Sequence, residues 1–149
     1  MRVNALMHSP VIVVHKGWTY ESVARLLYDH HISGAPVVDQ EGKLIGMVSE
    51  KDLYRVLFPR FMSFVENPEL YIDSEAREKK AADISEHKVE TFMVSHVVTI
   101  DPYATVMHAG ALMLAKRIHR LPVMDEGKLV GIVTRRDLFR AAIEQQLGL

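Results

Sequence analysis

Two pairs of side chains in this sequence have the types and spacing for chemistry. Ser49 precedes Asp52 by three positions, and Thr134 precedes Asp137 by three. The first pair lies in Gly46-Met47-Val48-Ser49-Glu50-Lys51-Asp52-Leu53, and the second in Gly131-Ile132-Val133-Thr134-Arg135-Arg136-Asp137-Leu138. Each stretch reads as a strand end, a hydroxyl residue, an acid and the start of an amphipathic helix. A hydroxyl at an N-cap with an acid three residues on forms a capping box, which satisfies two orphan backbone N–H groups. A carboxylate fixed in a first helical turn can also accept hydrogen bonds from two neighbouring hydroxyls, and a helix N-terminus favours anions. The pattern alone leaves both roles open, and they are compatible.

The elements that must position these pairs recur as well. An offset of 86 aligns Met7 with Met93, Thr19 with Thr105, Leu26 with Leu112, Ile32 with Ile118, and Pro36-Val37 with Pro122-Val123. After a one-residue deletion before Gly127, an offset of 85 aligns Gly42-Lys43-Leu44 with Gly127-Lys128-Leu129, and Asp52-Leu53 with Asp137-Leu138. The repeats cover about residues 3–57 and 89–143. In the first, Val11 to Val14 is a short apolar, β-branched run that predicts a buried strand. Thr19 suits the N-cap of a helix carrying Val23, Leu26 and Leu27 on one side. Ala35–Val38 and Leu44–Val48 predict a hairpin across the turn residues Asp39 to Gly42, and a helix follows from Glu50 to Leu57. The second repeat predicts a strand over Val97–Ile100, a helix from Thr105, strands over Leu121–Met124 and Leu129–Val133, and a final helix to about Gln146.

The predicted fold class is therefore α/β (α+β): a tandem pair of β-α-β-β-α repeats, packed about a pseudo-twofold axis that creates two equivalent clefts. A repeat of some 55 residues buries too little apolar surface to stand comfortably alone. The organisation expected is repeat one over 1–57, a helical connector or insert over 58–88, and repeat two over 89–149, the repeats forming one domain. In the insert, Phe58, Phe61, Met62 and Phe64 form an apolar group, and Asp73 to His87 is a charged, helical stretch. It reads as a connector, or as a lid or partner surface.

Composition excludes several classes of function. The 149 residues are 48% hydrophobic and 25% charged, as in ordinary globular chains. Eighteen basic and nineteen acidic residues leave a formal net charge of −1, which gives no global field for nucleic acid or an anionic membrane. With no cysteine, disulfides, thiolate nucleophiles and Cys-ligated zinc are excluded. The eight histidines are scattered and His30-His31 are adjacent, so no metal is expected. No apolar run approaches the about 20 residues of a membrane span, and Met1 to Ala5 does not open a signal peptide. A soluble, cytoplasmic protein is the expectation. No GxSxG, HExxH or Walker A motif is present, and the chain is expected not to be an enzyme. Gly42 and Gly46 are explained by a hairpin turn and close packing.

The repeat resembles the cystathionine-β-synthase (CBS) domain, and the pair resembles a CBS pair or Bateman module. The likeness rests on Ala35-Pro36-Val37-Val38-Asp39, Gly42-Lys43-Leu44-Ile45-Gly46 and Ser49 through Leu53. In repeat two it rests on Ile118-His119-Arg120-Leu121-Pro122-Val123, Gly127-Lys128-Leu129-Val130-Gly131 and Thr134 through Leu138. It covers about 110 of the 149 residues. The resemblance implies a stand-alone regulatory module, an energy or ligand sensor that binds adenosine nucleotides (AMP, ADP or ATP) in the clefts between repeats, with no cofactor. Assembly as a flat homodimer and an unidentified regulated protein partner are further implications. Ile118 to Pro122 is similar to the phosphate-contacting segment in the γ subunits of AMP-activated protein kinase.

An adenosine nucleotide requires an apolar slot for its base, an acceptor for its ribose diol and donors for its phosphate. By the resemblance, the slot serving one repeat's aspartate is lined by the other repeat. Site one would combine Thr134 and Asp137 with Ile12, Ile32, Ser33 and Gly34. Site two would combine Ser49 and Asp52 with Val98, Ile118 and His119. Arg120, Arg135 and Arg136 are the forked cations suited to phosphate, with His119 a further donor. Repeat one has Gly34 where repeat two has Arg120, so the two sites should differ in phosphate affinity. Ile12, Val98, Ile32 and Ile118 also read as core residues, and Arg135 and Arg136 as a solvated face. Two alternatives stand beside the sensor. One is a structural dimerisation module with empty clefts. The other is a nucleic-acid-associated regulator built on Lys116, Arg117, Arg120, Arg135, Arg136 and Arg140, against which the balanced acids argue.

Overall fold

A computed structural model describes residues 1–58 and 83–149 of the chain. The chain divides into two compact units: residues 13–96, and residues 1–12 together with 97–149. Each is a small mixed α/β assembly. Phe61, Met62 and Phe64, and the expected helix from Asp73 up to residue 82, lie outside the described residues. Of the rest of that stretch, Asp83 to Ser85 are helical, Glu86 and His87 are not, and Ile84 is buried.

In the unit of residues 13–96, strand β1 (Val14–His15) pairs in parallel with β2 (Gly34–Val38), which pairs antiparallel with β3 (Leu44–Ser49). Helix α1 (Tyr20–His30) links β1 to β2, and α2 (Glu50–Leu57) follows β3. Thr19 caps α1 by accepting a hydrogen bond from the Ser22 N–H at 3.2 Å. The hairpin turns where Asp39 Oδ1 accepts from the Glu41 and Lys43 N–H groups at 3.0 and 2.8 Å. Gly42 sits there at φ +79°, a left-handed conformation that glycine adopts without a Cβ clash. Val14, Val23, Leu27, Val37, Val48 and Val89 form the centre of the core.

The other unit repeats the plan. Helix α3 (Val106–Lys116) is capped by Thr105, which accepts from the His108 N–H at 3.0 Å. Strands β4 (Arg120–Asp125) and β5 (Lys128–Thr134) form an antiparallel hairpin, and α4 (Arg135–Leu147) follows. Val3, Ile100, Ala109, Met113, Leu121, Val123, Val133 and Leu138 are its core.

The segment ahead of each repeat packs in the unit formed by the other repeat. Val3 donates its N–H to Ala104 O at 2.9 Å, and His8 exchanges backbone hydrogen bonds with Ile132 at 2.8 and 3.1 Å. In matching fashion Val89 donates to Trp18 O at 2.8 Å, and Val94 exchanges with Met47 at 2.8 and 2.9 Å. Met7 lies over Gly131 and Met93 over Gly46, so close that a Cβ on either glycine would fall 2.5 and 2.6 Å from the methionine sulfur. Close packing is why these two positions lack a side chain.

The elements differ from expectation in two places. Of the strand predicted over Val11–Val14, only Val14 is in β1, and residues up to Ile12 belong to the other unit. Of the strand predicted over Val97–Ile100, only Ile100 pairs, in an isolated parallel bridge to Val123. The remaining strands and helices agree with expectation to within about two residues. Among the described residues no helix is long and apolar enough to cross a membrane.

Candidate functional site

The hydroxyl–acid pairs sit where a strand hands over to a helix. Thr134 ends β5 and is the N-cap of α4, with Asp137 at its third position. Asp137 Oδ2 accepts from the Thr134 N–H at 2.8 Å and from Thr134 Oγ1 at 2.7 Å, while the Asp137 N–H donates back to Oγ1 at 3.3 Å. Ser49 and Asp52 do the same at the start of α2. Asp52 Oδ2 accepts from the Ser49 N–H at 2.8 Å and from Ser49 Oγ at 3.0 Å. Both capping boxes are therefore formed. In each, one carboxylate oxygen is tied into the cap and the other, Oδ1, points away from it.

The two Oδ1 atoms have different neighbours. Asp52 is buried, and its Oδ1 lies 3.9 Å from the Arg55 guanidinium, beyond hydrogen-bond length. Asp137 is partly exposed, with 19% of its side chain accessible, and its Oδ1 accepts from His8 Nε2 at 3.0 Å. Partial burial pushes the Asp137 carboxyl up. The hydrogen bonds from Thr134 and His8 outweigh it and hold the group below its ordinary value. Sequence reasoning did not select His8. A signal existed in the repeat itself: Met7 aligns with Met93, so His8 aligns with Val94, and only one repeat carries a donor there.

Around Asp137 the unit gathers much of what a phosphorylated ligand would meet. The Arg135 N–H donates to His119 O at 2.8 Å, and Arg120 is registered opposite Thr134 across the β4–β5 hairpin. His119, Arg135 and Arg136 are exposed, and Arg120 is half-buried. Ile118, Val98 and Ile12 belong to this same unit and are half-buried, the first two against its core. Around Asp52, the Glu50 N–H donates to Ser33 O at 2.9 Å, and Gly34 is registered opposite Ser49. Ser33 is exposed, Gly34 buried, and Ile32 packs on the core. Each unit thus brings its own repeat's loop beside its own hydroxyl–acid pair. Site one as expected from sequence draws Thr134, Asp137 and Ile12 from one unit and Ile32, Ser33 and Gly34 from the other. Site two draws Ser49 and Asp52 from one unit and Val98, Ile118 and His119 from the other.

A groove of about 830 Å³ runs between α3 and α4 of the second unit. It is lined by apolar groups including Val106, Met113, Leu114, Leu138 and Phe139, with Arg117, His119 and Arg135 also contributing. Neither Thr134 nor Asp137 lines it, so it is distinct from the hydroxyl–acid site. Among the described residues no cluster of three or more His, Asp or Glu could hold a metal ion.

A family model described as CBS domain matches residues 3–59 and 89–144. The chain is 36% identical over 157 residues to an uncharacterised protein of Methanocaldococcus jannaschii, an alignment spanning 96% of this chain and 92% of that one. Among solved structures it is similar to CBSX2 of Arabidopsis thaliana in complex with AMP, at 26% identity and a TM-score of 0.72, covering 97% of this chain and 98% of that one. It is similar as well to the CBS domain pair of protein MJ0100 in complex with 5′-methylthioadenosine and S-adenosyl-L-methionine. That likeness has 25% identity and a TM-score of 0.73, and again covers 97% and 98% of the two chains.

Proposed function

From the premise that the chain belongs to the CBS domain family, we propose that it is a non-catalytic regulatory module binding an adenosine nucleotide through Asp137 and Asp52. The observation that carries this reading is the shared geometry of the two carboxylates. Each has Oδ2 tied into a helix cap while Oδ1 is directed elsewhere, a fixed acceptor for a ribose diol. The ligands crystallised with the two related structures, AMP, 5′-methylthioadenosine and S-adenosyl-L-methionine, have adenosine in common. The groups beside Asp137 support a phosphorylated member of the class. Arg120, Arg135 and Arg136 favour an anionic phosphate, with His119 a further donor, whereas the sulfonium of S-adenosylmethionine would meet like charge. AMP, ADP or ATP is the ligand class proposed, and the two sites should differ in phosphate affinity, since Arg120 is registered opposite Thr134 where the other repeat has Gly34 opposite Ser49.

The remaining residues of the two sites, Ile12, Ile32, Ser33, Gly34, Val98 and Ile118, are proposed as contacts to the base and sugar. A cytoplasmic setting and a regulated partner protein belong to the same proposal. So does a homodimer formed through the apolar groove: Met107 and Leu114 on α3 and Phe139 on α4 are 82%, 80% and 64% exposed, a large apolar face left to water in a single chain. That face is also what favours the second reading, a dimerisation module without ligand.

Calorimetric titration of the whole protein with AMP, ATP and S-adenosylmethionine separates the two. AMP or ATP is expected to bind, and Asp137→Ala to weaken one site roughly 10- to 100-fold, the worth of hydrogen bonds to a charged group. Asp52→Ala should do the same at the other. Heats absent for all three ligands, or affinities untouched by both substitutions, would leave only the dimerisation module.

A further inference from the structure

We infer that His8 sets the ligand affinity of the Asp137 site by occupying the carboxylate oxygen that a ribose diol requires. The inference rests on the reading that Asp137 accepts the ribose, and it adds a residue that neither repeat motif contains. A carboxylate offers about four lone-pair positions, two on each oxygen. At Asp137, Oδ2 already accepts from Thr134 N–H and Oγ1, at 2.8 and 2.7 Å. Oδ1 accepts from His8 Nε2 at 3.0 Å. One position is left on Oδ1, whereas a vicinal diol donates two hydrogen bonds. At Asp52 no imidazole intervenes among the described residues: there the neighbour of Oδ1 is the Arg55 guanidinium at 3.9 Å, too far to donate.

The mount of His8 is firm and its ring is not. Its N–H and C=O are both bonded to Ile132, at 2.8 and 3.1 Å, and Met7 beside it is lodged against Gly131. The side chain itself is 65% exposed and can swing into water. A ligand at Asp137 therefore displaces an imidazole held on a fixed stem, and the energy of the hydrogen bond it breaks is subtracted from its own binding. Val94 stands at the same place in the other unit, with the same paired backbone bonds to Met47 and a side chain that cannot donate. The two repeats thus carry one site with a built-in competitor and one without.

The test titrates AMP into the full chain carrying Asp52→Ala, so that the Asp137 site alone is read, and into the same chain with His8→Val or His8→Gln. His8→Val, which copies the other repeat, is expected to tighten AMP binding about three- to tenfold, the net worth of one hydrogen bond made by an exposed side chain. His8→Gln keeps a donor and is expected to bind as the parent does. If His8→Val leaves AMP affinity unchanged or weaker, or if His8→Gln tightens it equally, the inference is overturned. Should Asp52→Ala impair folding, as a thermal melt would reveal, the substitutions are read in the otherwise unaltered chain. There His8→Val must move one of two affinities and spare the other. Adding Asp137→Ala to the Asp52→Ala chain keeps the two failures apart. Binding that survives it refutes the ribose assignment and the inference together. Binding that it abolishes, with His8→Val neutral, refutes the role of His8 alone.

Discussion

Asp137 is held in its charged form by three donated hydrogen bonds, against the cost of removing part of its surface from water. Because its native pKa lies below the unfolded value, the charged carboxylate contributes stability that is fully present above about pH 5. That contribution is lost as pH falls through the depressed native value. Thermal melts of the wild type and Asp137→Asn should accordingly differ most near neutrality, and the gap should narrow below about pH 4. A gap that stayed constant with pH would mean that the charge adds nothing to the cap. The spacing of Thr134 and Asp137 made this carboxylate legible in the sequence, since a capping box is local and its partners lie within one helical turn. His8 was not legible in that way. Its contact with Asp137 spans 129 positions, and no local rule reaches across such a separation.

At the scale of elements, the repeat offset made α1 to α4 and β2 to β5 readable, because period, caps and turn residues are all short-range signals. What it did not reveal is that the opening residues of each repeat pack in the unit of the other, that β1 is two residues long and that Ile100 forms only a bridge. The contact of Met7 with Gly131 measures the strength of that exchange. A Cβ at Gly131 would meet Met7 Sδ at 2.5 Å, Cγ at 2.9 Å and Cβ at 3.0 Å. Gly131→Ala should thus cost about 1–3 kcal/mol by overpacking, measured by chemical denaturation. Met7→Ala in the same chain should recover part of the loss, as coupled neighbours do. Gly110 provides the control. It lies inside α3, and a methyl group there would meet nothing within 4 Å, so Gly110→Ala should stabilise by about 0.5–1 kcal/mol.

For the whole molecule, the exposed apolar side chains of α3 and α4 bear on assembly. Leu114→Asp places a charge on a face that the proposed homodimer would bury. Light scattering should then report a shift from dimer to monomer, while AMP affinity stays within about twofold. A wild type that is monomeric at all working concentrations would remove the homodimer from the proposal and leave the carboxylates untouched. One unit is continuous in the chain, residues 13–96, and the other is assembled from its two flanks. On the ribosome the continuous unit can close as soon as its last residue has emerged. Met1 to Ile12 must meanwhile wait, with Val3 and Met7 unhoused, until β5 and α4 arrive from the far side of that continuous unit to receive them. The imidazole at position 8 therefore meets its carboxylate only after α4 has been made, 129 positions later, and binding by that half of the protein waits for both flanks.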